Sequence, residues 1–108
     1  MLNVIFMIVF NMGKELYDNA YLFKQITEQM AEIYAKKNAD YGDSFSESIN
    51  KFGLIASAVR LSDKFNRFVS LIDKEPQVVN ESIQDTLIDM ANYAIMTVIY
   101  IKKHENNT

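Results

Sequence analysis

Only one proline and three glycines interrupt a chain of 108 residues, and that scarcity of breakers limits its folds more than any other feature. A fold of many short strands needs a turn signal roughly every 8–12 residues. Long helices need none, and apolar residues recurring at three and four positions supply the helical period. The expectation is an all-α chain: a helical bundle of three main helices in a single domain, 13–108, behind an apolar leader, 1–12.

The first helix is expected from about Asp18 to Lys37, with Leu22, Phe23, Ile26, Met30 and Ile33 on one face. Asn38 to Ser44 holds Asn, two Asp and a Gly, residues that favour turns, and reads as a loop. Ser44 followed by Glu47 has capping-box spacing, which starts a second helix reaching about Ile72. Gly53 falls inside it and marks a bend, a break or a close crossing. Its core face is Leu54, Ile55, Ala58, Leu61, Phe65, Phe68 and Ile72. Glu75-Pro76-Gln77 reads as a turn, and Asn80 as the N-cap of a third helix from Glu81 to about Lys103. That helix is apolar nearly all round, from Leu87 and Ile88 to Ile99 and Ile101, and such a helix belongs in the middle of a structure. Three helices cover it too thinly, so the bundle is expected to be completed by a second subunit in a homodimer.

Hydrophobic residues make up 49% of the chain and charged residues 23%, a globular balance. The net charge of -3 offers no general attraction to duplex nucleic acid or to an anionic membrane. With no cysteine, disulfides, thiolate nucleophiles and cysteine-bound zinc are excluded, and any metal must sit on oxygen. The single histidine, His104, lies in a polar tail near a helix C-terminus, where a cation suits the dipole, and is read as structural. The run Met1 to Phe10 is too short for a bilayer span of roughly 20 residues and lacks the basic lead of a signal peptide. Either translation begins at Met12, or the leader packs on a partner subunit. The reading is cytoplasmic, with no membrane partner.

Three groups carry possible chemistry. Glu81, Asp85, Asp89 and Asn92 follow one another at helical spacing as a polar stripe, with no Lys or Arg within a turn on their own helix. Stacked carboxylates repel, so water, a basic stripe from another helix or a divalent cation such as magnesium must neutralise them. On the second helix Arg60, Asp63, Lys64 and Arg67 share a face. They grip phosphate oxygens, pair with the acidic row in an ionic ladder, or form a solvated surface in which Asp63 and Arg67 are an intrahelical pair. In the segment 38–44, Asn38, Asp40 and Tyr41 offer hydrogen-bonding groups and a stackable ring, the equipment to read a base or simply to connect two helices. Glu28 and Glu32 on the first helix have Lys24 and Lys36 four residues away and read as a solvated face.

Lys37-Asn-Ala-Asp-Tyr-Gly-Asp-Ser-Phe45, Val59-Arg-Leu-Ser-Asp-Lys-Phe-Asn-Arg67 and Asp85-Thr-Leu-Ile-Asp-Met-Ala-Asn-Tyr93 resemble, in that order, the motifs of the nucleotide modification associated domain family, type 1. That is a family of small phage and bacterial proteins, and the resemblance covers roughly Ala31 to Tyr100. It implies a nucleotide-related role without naming a reaction. A looser similarity is to the all-helical nucleoside triphosphate pyrophosphohydrolases of the MazG and dimeric dUTPase type, whose ExxE and ExxD motifs hold metal. This chain departs from them, with Glu28 and Glu32 and then Glu81, Asp85 and Asp89 at spacings of four. What the similarity implies is magnesium on Asp85 and Asp89, with Glu81 a weaker and Glu47 a further candidate ligand. The expected function is therefore nucleoside triphosphate binding with magnesium, followed by pyrophosphohydrolysis. The rival expectation is a non-catalytic helical interaction module, a phage accessory protein whose charged stripes set helix register.

Overall fold

The computed structural model describes residue 5 and residues 18–41, 43–73 and 76–105, and the side chains of 40, 41 and 76–81 fall outside that description. Of the leader 1–12, only Ile5 is described, and it is exposed. All regular structure among the described residues is helical: α1 (Asn19–Tyr41), α2 (Ser44–Phe52), α3 (Ile55–Ile72) and α4 (Pro76–Glu105). Residues 1–40 and 41–108 form two compact units. No helix among the described residues is long and apolar enough to cross a membrane.

In the first unit, Asp18 closes the start of α1 by accepting the Ala20 amide on its carboxylate at 2.8 Å and the Leu22 amide on its carbonyl at 3.0 Å. The helix continues to Tyr41 rather than stopping at Lys37. Asn38, Asp40 and Tyr41 are therefore helical, not parts of a loop. Their turn preference is worth only a fraction of a kcal/mol each (about 0.7 at most), too little to end a helix that has no proline or glycine before Gly42. Of the expected apolar face only Met30 is buried, while Phe23 remains 71% exposed.

In the second unit, Asp43 rather than Ser44 caps α2, its carboxylate accepting the Ser46 amide at 3.1 Å. Glu47 lies in the first turn, where a carboxylate suits the helix dipole. Gly53 then ends α2, with its amide bonded to the Ile49 carbonyl at 2.7 Å. Its φ of 81° and ψ of -172° belong to a region open almost only to glycine. Nothing lies within 4 Å of where a Cβ would stand, so backbone conformation alone requires glycine there. Of the three readings of Gly53, the structure shows a break, and the long second helix becomes α2 and α3.

Helix α4 runs for 30 residues, about 45 Å at 1.5 Å per residue. It begins at Pro76, not after Asn80, which corrects the reading of 75–77 as a turn. Proline restricts the residue before it but is well placed at the first helical position, where its missing N–H has no partner to lose. Lys102, Lys103 and His104 occupy the last turn. His104 stacks on Tyr100 with ring centroids 3.9 Å apart, and its Nδ1 lies 2.8 Å from the Tyr100 carbonyl, a local structural role as its position suggests.

Helices α3 and α4 pack along their length and α2 lies against both. Phe45 meets Tyr93 with ring centroids 5.2 Å apart, and the Tyr100 hydroxyl donates to Asn50 Oδ1 at 2.7 Å. The face that α3 turns inward shares Leu61 and Phe68 with the expected one but is rotated from it. Ser57 is buried and Leu61, Lys64, Phe68 and Leu71 are half-buried at helical spacing behind it. Leu54, Ile55, Phe65 and Ile72, read as core, are instead 51–64% exposed. The reason is polar. The Ser57 and Thr97 hydroxyls meet at 2.5 Å across the seam, and a partly buried pair of this kind favours a register that counting apolar residues overlooks.

Candidate functional site

The polar row of α4 and the basic row of α3 flank the same edge of this seam. At its centre is Thr86, 3% exposed, whose hydroxyl donates to the Ser82 carbonyl at 2.7 Å and accepts the Arg67 Nε–H at 3.3 Å. Both hydrogen-bonding roles of the hydroxyl are thereby used, and the base of the guanidinium is held in place while Arg67 as a whole stays exposed. One turn further along, Lys64 Nζ lies 3.2 Å from Asp89 Oδ2, with the two side chains 28% and 47% exposed. At that exposure the pair contributes about 1 kcal/mol or less to stability, so its main effect is to orient two charged groups.

Of the neutralisers considered for the acidic row, an ammonium from the neighbouring helix serves Asp89. Asp85, one turn earlier, is exposed and has no ion-pair partner among the described residues. Asn92 is half-buried beside the row, and the Glu81 side chain lies outside the description. Arg60 and Asp63 are exposed. Arg67 turns to Thr86 rather than to Asp63, so the intrahelical Asp63–Arg67 pair does not form.

The remaining candidates belong to α1. Asn38 is exposed near the end of α1, and the side chains of Asp40 and Tyr41 are not described. On α1, Lys24 pairs with Glu28 at 3.9 Å with both side chains more than half exposed, as a solvated face would. Sequence reasoning missed Thr86 because a hydroxyl inside a helix is ordinarily read as a weak helix former. Its place beside Asp85, one helical turn before Asp89 and Met90, was the available signal.

Two carboxylates one turn apart suit magnesium only as part of a magnesium–phosphate complex, since that ion keeps waters and phosphate oxygens as its remaining ligands. Among the described residues no three acidic or histidine side chains converge on one point, so a closed protein cage is not formed there. A residual anionic edge on α4 beside a cationic edge on α3 can hold a ligand that carries both a cation and phosphates.

A family model described as nucleotide modification associated domain 1 matches residues 37–101, more than half of the chain. The match spans α2, α3 and most of α4, and so contains the whole charged edge. No curated protein and no solved structure matches the chain.

Proposed function

The chain belongs to the nucleotide modification associated domain 1 family, and from that premise we propose that it binds a nucleoside triphosphate, with magnesium, along the charged edge of α3 and α4. The carrying observation is the juxtaposition of Lys64 and Asp89 at 3.2 Å, with Arg67 fixed by Thr86 beside them and Asp85 still unpaired among the described residues. Arg60, Lys64 and Arg67 are assigned to phosphate oxygens, which guanidinium and ammonium groups bind by charge-assisted hydrogen bonds. Asp85 and Asp89 are assigned to the magnesium that accompanies the nucleotide, with Glu81 as a further ligand and Asn92 as a neutral hydrogen-bonding neighbour. Magnesium supplies charge neutralisation of the phosphates. When a phosphate enters, Lys64 exchanges one oxygen anion for another and Asp89 is released from its ammonium.

The reaction assigned to this site is hydrolysis of the phosphoanhydride with water as nucleophile, releasing pyrophosphate and the nucleoside monophosphate. The three basic side chains stabilise the negative charge that develops on the phosphoryl oxygens. In this reading the protein is a homodimer that works in the cytoplasm of a bacterium or of a phage-infected cell. A second reading is favoured by the same Lys64–Asp89 contact: a non-catalytic interaction module in which the ion pair only fixes α3 against α4.

The test is a thermal-shift panel of deoxynucleoside and ribonucleoside triphosphates with and without magnesium, followed by a pyrophosphate-release assay. A ligand at 100 times its Kd stabilises by about 2.7 kcal/mol, roughly 10 °C or more for a domain of this size. An unchanged melting temperature across the whole panel rejects the nucleotide reading. A shift without pyrophosphate release retains binding and removes the hydrolysis.

A further inference from the structure

Helix α3 carries a second apolar face that stays about half open to solvent among the described residues of the unit 41–108. Leu54, Ile55, Val59, Phe65, Val69 and Ile72 lie on it, each 46–64% exposed. Side chains of this size carry on the order of 200 Å² each, so the six leave roughly 600 Å² open per copy. A pair of such faces would bury about 1,200 Å², the lower end of specific interfaces, before Ala58 and Ser62 are counted. Apolar ground of this extent on a soluble helix marks a contact surface.

The order of residues along the face identifies what fits it. The two small residues of the face, Ala58 and Ser62, lie in its N-terminal half, where with Ile55, Val59 and Asp63 they border an open hollow, and Phe65 and Val69 lie in its C-terminal half. A two-fold axis between residues 63 and 64 would set two copies of α3 antiparallel, with Ile55 level with Ile72, Ala58 with Val69, and Ser62 with Phe65. At the centre Phe65 and Val69 then meet the small Ser62 and Ala58, the interdigitation that ridges-into-grooves packing requires, while Ile55 and Ile72 meet each other at the two ends. We infer that this face is the interface of a homodimer in which α3 pairs antiparallel with α3 of a second copy, Phe65 of each lying over Ala58 and Ser62 of the other. A surface that complements itself about its own midpoint has another copy of this chain as its fitting partner. The inference does not depend on the nucleotide reading, because none of the residues assigned to phosphate or magnesium lies on this face.

Because the chain contains no cysteine, single introduced thiols report the pairing directly. The Ala58→Cys chain is mixed with the Val69→Cys chain and oxidised. A disulfide-linked heterodimer is expected, while Ala58→Cys alone should not cross-link, since two copies of residue 58 lie 11 positions apart, about 16 Å along the axis. Light scattering of the unmodified full chain is expected to give twice the 12.5 kDa protomer. Phe65→Asp is expected to raise the dimer dissociation constant at least 100-fold with an unchanged helical circular dichroism spectrum, and Ala58→Glu to do the same should Phe65→Asp fail to fold. A monomeric mass at about 100 µM protein, where even weak specific pairs form, would overturn the inference and leave the face to another part of the chain or another protein. Efficient self-cross-linking of Ala58→Cys would overturn the antiparallel pairing.

Discussion

Replacing Lys64 by Met and Asp89 by Asn, singly and together, measures the contact on which the proposed site is built. At 3.2 Å the bare attraction between the two charges lies between roughly 1 kcal/mol in water and about 5 kcal/mol at the effective dielectric of a protein surface. Desolvation and the loss of side-chain freedom oppose it. With the side chains 28% and 47% exposed, the net coupling should resemble that of exposed pairs at the upper end of their range, about 1 kcal/mol, and fall well short of the 3–5 kcal/mol cost of severing a fully buried pair. Urea denaturation of the four proteins, followed by circular dichroism, gives that coupling as the non-additive part of the cycle. The same cycle at saturating magnesium and nucleotide separates the two functional readings. If Asp89 leaves Lys64 to serve the ligand, the coupling should fall toward zero, whereas a pair that only sets helix register should keep its value. A coupling above about 3 kcal/mol in the free protein would contradict the solvent access assigned to this edge, since only buried pairs behave that way. A coupling unmoved by bound nucleotide would remove Lys64 and Asp89 from the site.

Other perturbations test separate parts of the structure. Asp85→Asn should change stability by no more than about 0.5 kcal/mol, because the carboxylate is exposed and has no ion-pair partner among the described residues. A tenfold or greater loss of magnesium-dependent nucleotide binding in the same variant would then report a functional acid, and full retention would dismiss it. Gly53→Ala should destabilise by about 1–3 kcal/mol despite the empty space around the position, since its φ of 81° is strained for any residue with a Cβ; chemical denaturation that finds no loss would refute the break as drawn. Thr97→Val should cost more than Ser57→Ala. Thr97 donates to the Tyr93 carbonyl at 2.7 Å, so Ser57 must supply the proton between the two hydroxyls. Without Thr97, the Ser57 hydroxyl, 3% exposed, loses its acceptor, at about 1–3 kcal/mol, and the reverse order of melting temperatures would reverse that assignment.

The all-helical architecture was legible in the sparse glycine and proline, and Gly53 announced an interruption without saying which kind. Boundaries were less legible where two local preferences compete. Asn38 and Asp40 favour turns only weakly and were carried along by α1, and Pro76 could end one element or begin another. The inward face of α3 was misread for a more general reason. Apolar spacing finds every face that avoids water, but it cannot tell which of two such faces meets a helix of the same chain. That choice rests on Ser57 with Thr97 and on Arg67 with Thr86, contacts between residues 19 and 40 positions apart that no local pattern contains. The charged edge was legible as two rows at helical spacing, while their meeting at Lys64 and Asp89 required the fold.

The placement of faces around α3 also bears on where a ligand could bind. At about 100° per residue, Ser57, Leu61, Lys64 and Phe68 centre the seam with α4, and Ala58, Phe65 and Val69 centre the apolar face roughly 90° around from it. Arg60 and Arg67 fall roughly 80° to the other side of the seam, which sets them nearly opposite the apolar face. Pairing two copies through α3 would therefore leave each cationic edge on the outside of the dimer, beside the α4 acids of its own chain. A crevice shared between subunits, with acids from one copy facing bases of the other, is not what this pairing builds. Each copy would carry a complete edge, so nucleotide binding should be non-cooperative and should survive in a Phe65→Asp monomer with its affinity changed less than about threefold. Loss of nucleotide binding on dissociation, with helicity intact, would show instead that the partner supplies part of the site.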